Sequence, residues 1–288
     1  MSCVRDARSE FFNGGYVIME TLDSVNIPIR KDETHKGDYG KILLIGGSAN
    51  MGGAIMLAAR ACVYSGSGLI TVATHPNNHA ALHSRCPEAM VIDINDTKML
   101  TKMIEATDSI LIGPGLGVDF KGNNAITFLL QNIQPHQNLI VDGDAITIFS
   151  KLKPQIPTCR VIFTPHQKEW ERLSGIPIEE QTYERNREAV NNLGATVVLK
   201  QHGTEIYFKD DAYKLSIGTP AMATGGMADT LAGMITSFVG QFDSLKEAVT
   251  SATYTHSYIG EKLSESMYVV PPSRLISEIP YVMKQLEG

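Results

Sequence analysis

The sequence predicts an α/β fold with a central, mostly parallel β-sheet and helices on both faces. Short apolar runs alternate with helical stretches along the 288 residues, which is the pattern of parallel strands joined by helical crossovers. Nearly all of these runs are continuously apolar, as expected for strands that helices cover on both sides. The content of 43% apolar and 19% charged residues indicates a globular protein with a large core, and it excludes a disordered chain or a disulfide miniprotein.

Seven apolar runs are the candidate strands of the sheet. They are residues 42–45, 69–73, 90–92, 109–112, 139–141, 161–164 and 196–199. Between the first two runs, an apolar stripe with helical spacing predicts a helix and therefore a βαβ unit. That stripe consists of Ile55, Ala58, Ala59 and Cys62.

The last part of the chain predicts a different connection. Residues 204–208 and 212–216 flank three charged residues and are expected to form an antiparallel hairpin on the otherwise parallel sheet. Three helices, starting near Gly225, Ser244 and Ser273, should follow. No repeat, low-complexity tract or linker marks a boundary, so residues 35–288 are predicted to form a single domain. Residues 1–34 are expected to form a helical or partly disordered extension that is too short to be an accessory catalytic domain.

Net charge and hydropathy limit the classes of binding partner that the sequence predicts. The formal net charge is -6 and the lysines and arginines are scattered, so the sequence predicts no binding to nucleic acid or to a membrane and favours small molecules. No apolar run approaches the roughly 18 residues of a membrane span. Asp6, Arg8 and Glu10 stand where a secretory signal would be apolar, so a cytoplasmic location is expected.

The cysteines and clustered histidines do not predict a metal site. The four cysteines are too far apart for a CxxC pair and are expected to be reduced core thiols. His75, His79 and His83 are spaced four apart, but Pro76 is expected to hold His75 outside the helix that carries the other two. Without an HExxH pattern, a surface or core role for these histidines is favoured over metal binding.

Three glycine clusters follow predicted strands, where open α/β sheets bind ligands. The first, residues 46–54, opens a helix, so its backbone amides can face an anion; the alternative is that its glycines only allow a tight turn. It is not a Walker A loop, because Gly53 and Ala54 occupy the positions of the lysine and the Ser or Thr. The second, residues 113–117, lacks the GxGxxG spacing but lets the backbone approach a flat ligand closely.

The third glycine cluster, residues 218–233, is the most informative. Small residues lead into an apolar helical run, which predicts a helix N-terminus with free amides that can hold phosphate oxygens. Asp229 would lie beside the transferred group. Alone, an Asp in a first helical turn is usually a residue that stabilises the helix dipole. A carboxylate beside an anion hole is unfavourable unless it accepts a proton or shares a metal, which favours a chemical role.

Four other polar residues have both a structural and a functional interpretation. Lys200 ends a predicted strand and is either a solvated charge or a ligand of a nucleotide. His166 precedes a predicted helix and either begins that helix or contacts substrate. Asp142 and Asp144 are either turn formers or carboxylates that contact magnesium through water.

Five motifs, in order, resemble those of the NAD(P)H-hydrate dehydratases of the ribokinase-like superfamily. They are His35-Lys36-Gly37-Asp38-Tyr39-Gly40, Gly113-Pro114-Gly115-Leu116-Gly117, Val141-Asp142-Gly143-Asp144-Ala145, Thr164-Pro165-His166 with Glu169 and Leu173, and the segment from Gly218 to Asp229. The resemblance covers roughly residues 35 to 260. It implies a ribokinase-like three-layer sandwich and an enzyme that uses ADP or ATP to restore hydrated NADH or NADPH to the intact cofactor.

The resemblance also implies roles for particular residues. It places Ala54, Gly117, His166 and Asp229 around the hydrated nicotinamide nucleotide, with Asp229 catalytic. Around the adenine nucleotide it places two segments: Lys200, Gln201, His202, Gly203 and Thr204, then Gly225, Gly226, Met227 and Ala228. Mg²⁺ on the phosphates and a homo-oligomer, a tetramer, are implied as well. Met227-Ala228 stands where the family commonly has Ser-Gly, and Gln201 where it has Gly.

The expected mechanism is phosphoryl transfer followed by elimination. Asp229 takes the proton of the ring hydroxyl, whose oxygen attacks the terminal phosphoryl group while the helix amides and Mg²⁺ stabilise charge. Phosphate is then a far better leaving group than hydroxide. Two alternatives remain: a small-molecule alcohol kinase of the same superfamily, acting on a sugar, hydroxymethylpyrimidine or thiazole, and a non-catalytic nucleotide sensor in which Met227 blocks transfer.

Overall fold

The computed structural model describes residues 19–288, which form one ten-stranded sheet with helices on both faces. The strands are β1 (Glu20–Leu22), β2 (Lys41–Ile45), β3 (Leu69–Thr74), β4 (Met90–Asp93), β5 (Ser109–Ile112), β6 (Asn138–Val141), β7 (Arg160–Phe163), β8 (Thr196–Leu199), β9 (Glu205–Tyr207) and β10 (Ala212–Leu215). The helices are α1 (Gly52–Tyr64), α2 (His79–Arg85), α3 (Thr97–Ala106), α4 (Phe120–Asn132), α5 (Asp144–Leu152), α6 (Gln167–Ser174), α7 (Tyr183–Leu193), α8 (Met227–Val239), α9 (Leu245–Ser264) and α10 (Pro272–Gln285).

The strand order confirms the predicted α/β class. It runs β1-β10-β9-β8-β7-β6-β5-β2-β3-β4, and β9 is the strand that lies antiparallel to both of its neighbours. The seven apolar runs form β2 to β8 within a residue or two of the predicted limits, and β9 and β10 form the predicted hairpin. Strands that are buried on both faces consist mostly of apolar residues, and this is why these runs could be recognised in the sequence.

Alternation along each strand separates two apolar clusters, one on each side of the sheet. In β2, Ile42 and Leu44 belong to the cluster that contains α1, α8, α9 and α10, whereas Leu43 and Ile45 belong to the cluster that contains α3 to α7. The sheet is therefore the middle layer of three. The predicted stripe on α1 is fully buried against the first cluster.

The segment before β2 differs from its prediction. Residues 20–22 form a strand that pairs in parallel with β10, and the Ile27 amide donates to the Leu286 carbonyl at 2.9 Å. The expected helical or disordered extension over 1–34 is therefore wrong for this part, because the open edge of β10 offers a row of backbone partners. The rest of that expectation, on residues 1–18, lies outside the described residues. That 35–288 form a single domain stays a prediction.

Three further expectations concern membranes, thiols and histidines. Over residues 19–288, no helix is long and apolar enough to cross a membrane. Cys62, Cys86 and Cys159 are buried free thiols, as expected, and burial raises the pKa of each; Cys3 lies outside the described residues. His75 precedes the turn that leads into α2, which carries the other two histidines, as Pro76 predicts.

Candidate active site

The candidate site lies where the carboxyl ends of β2, β5, β6, β7 and β8 meet. These strands are neighbours in the sheet, and the loops that follow them carry most of the residues selected from the sequence. The chain runs from β2 outward to β3 and β4 and then returns to β5 on the other side of β2. Such a reversal leaves a crevice at the strand ends, which is where open α/β sheets bind their ligands.

The first two glycine clusters are in direct contact across this crevice. The Gly47 amide donates to the Pro114 carbonyl at 2.9 Å, and the Ser48 amide donates to the Gly115 carbonyl at 2.6 Å. Gly115 has φ 59°, and a Cβ there would lie 2.3 Å from the Met51 carbonyl oxygen and 3.2 Å from the Ala54 Cβ. A side chain at Gly115 is therefore excluded, and Ala54, in the first turn of α1, lies against the second loop.

The two aspartates after β6 are held by different partners. Asp144 accepts a hydrogen bond from the Gly117 amide at 2.8 Å, which ties the second glycine loop to the start of α5. Asp142 is buried and accepts from the Thr164 hydroxyl at 2.6 Å and from Lys200 Nζ at 2.9 Å. Lys200 is thus the ion-pair partner of a buried carboxylate, which excludes the interpretation as a solvated surface charge.

His166 begins helix α6, which was one of the two roles that the sequence allowed for it. Its Nδ1 accepts from the amides of Lys168 and Glu169, and Glu169 accepts from the His166 amide at 2.8 Å, which forms a reciprocal cap at the start of α6. Burial first, and then the charge of Lys200, lowers the pKa of His166. A neutral ring with Nδ1 accepting carries its proton on Nε2, so a donor remains for a ligand.

The third glycine cluster forms the turn that starts α8. Gly226 has φ 91°, and an added Cβ would lie 2.4 Å from Leu57 Cδ1, whereas a Cβ at Gly225 would meet no atom within 4 Å. The amides of Gly225, Gly226 and Ala228 have no hydrogen-bond partner among residues 19–288. These free N–H groups at a helix N-terminus suit an anion, and the open side at Gly225 leaves space for one.

Met227 does not obstruct this turn. Its side chain is only 7% exposed and packs in the apolar cluster below α8, with its sulfur 3.8 Å from the Thr230 hydroxyl. The side chain therefore points into the core and leaves the backbone of the turn open. The reason for the sensor alternative, a block by Met227, is removed.

Asp229 has the most strongly perturbed carboxyl group at the site. Its pKa is raised to about 7, first by burial and then by the negative charges of Asp142, Asp144 and Glu169, which Lys200 only partly offsets. Three carboxylates from the β6–α5 turn and α6 thus act on the carboxyl group of Asp229 in α8, although they are far from it in the sequence. A carboxyl group with a pKa near neutrality beside free amides is suited to accept a proton.

Sequence analysis missed a buried contact behind Asp229. His256, in α9, is 4% exposed, and its Nε2 lies 2.9 Å from the hydroxyl of Thr230, which donates to the Met227 carbonyl at 2.6 Å. Burial lowers the pKa of His256 to about 4, so a neutral imidazole ring makes the hydrogen bond with Thr230. The pair fixes the first turn of α8. No local signal in the sequence links two residues on different helices.

The segment from Lys200 to Thr204 follows β8. The Lys200 amide donates to the Pro165 carbonyl at 2.8 Å, and the Thr204 hydroxyl donates to the Gln201 carbonyl at 3.3 Å. Gly203 has φ 69°, as a turn into β9 requires. The contact of this segment, including His202, with an adenine nucleotide stays a prediction.

Comparisons with known proteins agree with this geometry. A family described as NAD(P)H-hydrate dehydratase matches residues 42–281. The chain is 88% identical, over 96% of its length and 100% of the relative, to an ADP-dependent (S)-NAD(P)H-hydrate dehydratase of Staphylococcus aureus strain NCTC 8325 / PS 47.

Solved structures give the same result for the fold. A ribokinase-like superfamily protein from Enterococcus faecalis V583 is similar with a TM-score of 0.89 and 44% identity, covering 91% of this chain and 92% of that one. An ADP/ATP-dependent NAD(P)H-hydrate dehydratase from Bacillus subtilis, co-crystallised with ATP and Mg²⁺, is similar with a TM-score of 0.82 and 31% identity, covering 91% and 95%. The ribokinase-like fold expected from the motifs is confirmed.

Proposed function

Because this chain belongs to the NAD(P)H-hydrate dehydratase family, we propose that it uses ADP to dehydrate hydrated NADH or NADPH and so restores the intact cofactor. The observation that carries the proposal is Asp229, a carboxyl group whose pKa is raised to about 7 and which stands at the free amides that begin α8. A base and an anion hole in one turn are what phosphoryl transfer to a hydroxyl group requires.

The proposed reaction has two steps, phosphoryl transfer and then elimination. Asp229 accepts the proton of the ring hydroxyl as its oxygen bonds to the terminal phosphorus of ADP, and the bond from that phosphorus to AMP breaks. The carbon–oxygen bond then breaks, phosphate leaves with the bonding pair, and a proton lost from the neighbouring carbon lets the ring double bond re-form. The Gly225, Gly226 and Ala228 amides would stabilise the charge on the transferred group. With ATP, the products would be ADP and phosphate.

Magnesium fits the charge of this site. Asp142, Asp144 and Glu169 all oppose the ionisation of Asp229, so the site carries negative charge that Lys200 does not balance. Carboxylates and water are ligands that Mg²⁺ prefers. Over residues 19–288 no group of three or more His, Cys, Asp or Glu is arranged to hold a metal ion, so Asp142 and Asp144 would contact it through water. Bound there, Mg²⁺ would screen the phosphate charge of ADP.

The remaining assignments belong to the same proposal. Ala54, Gly117 and His166 would contact the hydrated nicotinamide nucleotide, and residues 200–204 would contact the adenine nucleotide. The protein would act in the cytoplasm as a homo-oligomer, a tetramer by family resemblance, without nucleic-acid or membrane partners. Light scattering on the purified protein tests the tetramer.

Product analysis tests the reaction itself. The protein is mixed with hydrated NADH, Mg²⁺ and ADP, and the near-ultraviolet absorbance of NADH is followed together with AMP and phosphate. Equal amounts of NADH, AMP and phosphate are expected. A stable phosphate ester without NADH would instead identify the small-molecule kinase alternative, and nucleotide binding without turnover would identify the sensor. Replacing ADP with ATP in the same assay measures the preference between them.

The pH dependence of kcat/KM should follow Asp229. Because the base must be ionised and its pKa is raised to about 7, kcat/KM is expected to fall about tenfold for each pH unit below that value. Rates at pH 5 to 9, with recovery of activity after return to pH 8 as the control for unfolding, give the profile. A flat profile down to pH 5 would contradict the assignment of Asp229 as the base.

Substitutions at two neighbouring glycines distinguish an effect on nucleotide binding from an effect on stability. Gly225→Val projects into open space and should raise the KM for ADP about tenfold or more while leaving the melting temperature near that of the parent. Gly226→Ala places a side chain at φ 91° and against Leu57, so it should lower the melting temperature by several degrees. Steady-state kinetics and thermal unfolding on both variants check this contrast. An unchanged KM in Gly225→Val would remove this turn from nucleotide binding.

A further inference from the structure

A cavity of about 610 Å³ lies at the amino ends of β7 and β8, opposite the edge of the sheet that carries the candidate active site. Arg160 and Thr196, the first residues of these two strands, line it. Lys200 comes four residues after Thr196, so about 13 Å of extended chain separates the cavity from that residue of the active site. The volume is in the range of cavities that hold small organic ligands, roughly 300–1,000 Å³. The cavity therefore has room for a ligand of its own, away from the reacting centre.

Part of the cavity wall is apolar. Val161 of β7 and Val190 of α7 are buried in this wall, and Leu245, the first residue of α9, is partly buried there. Gly194, at the end of α7, also lines the cavity, and a Cβ added to it would meet no atom within 4 Å. The wall therefore offers apolar surface with open space in front of it, which suits an apolar or aromatic group of a ligand.

The rim of the cavity carries two cations that the protein leaves unpaired. Arg160 and Lys209 line the cavity, and the side chain of neither makes a hydrogen bond or an ion pair with any residue from 19 to 288. Asp210 is the acidic residue of the lining, so two cations and one carboxylate give the lining a formal charge of +1, in a protein whose net charge is -6. The cavity therefore favours an anion over a cation.

Lys209 lies on a turn whose position is fixed by its neighbours. Arg187 Nη2, from α7, donates to the Lys209 carbonyl at 3.2 Å and to the Asp210 carbonyl at 2.9 Å, and Lys246, from α9, pairs with Asp211 at 2.9 Å. Arg187 Nη1 is buried and has no hydrogen-bond partner in the part of the chain that the structure describes. A buried donor without an acceptor is unfavourable, and an anion bound beside this turn would supply the acceptor.

The first turn of α9 adds backbone donors. Ser244 caps this helix by accepting from the Glu247 amide at 3.3 Å, whereas the amides of Leu245 and Lys246 have no hydrogen-bond partner among residues 19–288. Free amides and the positive end of the helix dipole favour phosphate oxygens at such a terminus. A phosphoryl group has three acceptor oxygens, so it can bind these amides and the two unpaired cations together better than a carboxylate can.

From these observations we propose that the cavity binds a small organic phosphate, which is a phosphoryl group joined to an apolar or aromatic group. The phosphoryl group would lie between Arg160, Lys209 and the first turn of α9, and the apolar group would pack against Val161 and Leu245. None of these residues belongs to the candidate active site, so the binding does not depend on the proposed function.

Calorimetric titration with phenyl phosphate, which carries one phosphoryl group and one aromatic ring, tests the proposal. The parent protein should bind it, and a double variant, Arg160→Gln with Lys209→Gln, should bind it at least about tenfold more weakly. Both side chains are exposed and unpaired, so this variant should keep the melting temperature, kcat and KM of the parent. Asp210→Asn removes the opposing carboxylate and should bind phenyl phosphate about twofold or more tightly. Inorganic phosphate, which lacks the ring, should bind the parent at least about tenfold more weakly than phenyl phosphate.

Two controls separate this cavity from other anion sites. Gly225→Val projects from the turn that starts α8, and this variant should still bind phenyl phosphate. Arg85→Gln combined with Lys102→Gln removes two exposed cations elsewhere and should leave the affinity unchanged. Loss of binding in Gly225→Val, together with normal binding in the double variant of Arg160 and Lys209, would place phenyl phosphate in the active site and overturn the proposal. No binding to the parent, or equal affinity of the parent for phenyl phosphate and inorganic phosphate, would overturn it as well.

Discussion

Asp229→Asn is expected to lower kcat by roughly a hundred- to ten-thousand-fold, because Asn has nearly the shape of Asp but cannot accept the proton of the ring hydroxyl. The amides of Gly225, Gly226 and Ala228 belong to the backbone and survive the substitution. KM for the hydrate and affinity for ADP should therefore change far less than kcat. Steady-state kinetics and nucleotide titration on one preparation measure both quantities.

The stability of the same variant separates a catalytic base from a helix-dipole residue. The pKa of Asp229 is higher in the folded protein than its ordinary value of 3.8, so its contribution to stability is greatest below that value and is lost as the pH rises through about 7. At pH 8 the folded parent must hold a buried, ionised carboxylate, which costs stability, and Asp229→Asn removes that cost. The variant should therefore melt at a higher temperature than the parent at pH 8, and the difference should vanish near pH 4.

The helix-dipole interpretation makes the opposite prediction. It gives a free energy of unfolding that is lower by about 1 kcal/mol or less, and hence a lower melting temperature, with turnover nearly intact. Ser244→Ala, which removes the cap of α9 at the far end of α8, is the control and should lower stability without changing kcat. A stable Asp229→Asn protein with normal turnover would exclude Asp229 from the mechanism.

Lys200→Met is expected to reduce the free energy of unfolding by about 3–5 kcal/mol, because it leaves the Asp142 carboxylate buried without its cation. The parent pair has an Nζ to Oδ1 distance of 2.9 Å, and Asp142 is 1% exposed. If residues 200–204 also bind ADP, KM for ADP should rise more than KM for the hydrate. Chemical denaturation and kinetics measure the two effects.

A double variant and a surface control test whether the lost stability comes from the buried ion pair. Lys200→Met combined with Asp142→Asn removes both charges and should recover a large part of the stability. Lys246→Met breaks an exposed pair with Asp211 of the same length and should cost about 0–1 kcal/mol. Since Lys200 lowers the pKa of Asp229, the acid limb of kcat/KM should also move to higher pH in Lys200→Met. Equal losses for Lys200→Met and Lys246→Met would contradict the buried pair.

Much of the fold was predictable because local sequence carried the relevant constraint. The central strands, such as β2, β5 and β6, are apolar and buried on both faces, so each was visible as a continuous run. The α1 stripe was visible because one helix face is buried. The short strand at 20–22 was not, because three residues with a mixed pattern form a strand only when the edge of β10 supplies the hydrogen bonds.

The candidate site likewise has features that the sequence determined and features that only the tertiary structure decided. The sequence by itself determined which residues the site contains: three glycine clusters after strands, Asp229 at a helix start, and motifs whose order identified the family. Only the tertiary structure decided that Lys200 pairs with Asp142, 58 positions away, and that His256 holds the first turn of α8 through Thr230. It also decided the raised pKa of Asp229, because burial and the charges of Asp142, Asp144 and Glu169 reach that carboxyl through space. Distances between side chains on different elements, and their exclusion from water, are set by packing, and no pattern within one segment of sequence encodes them.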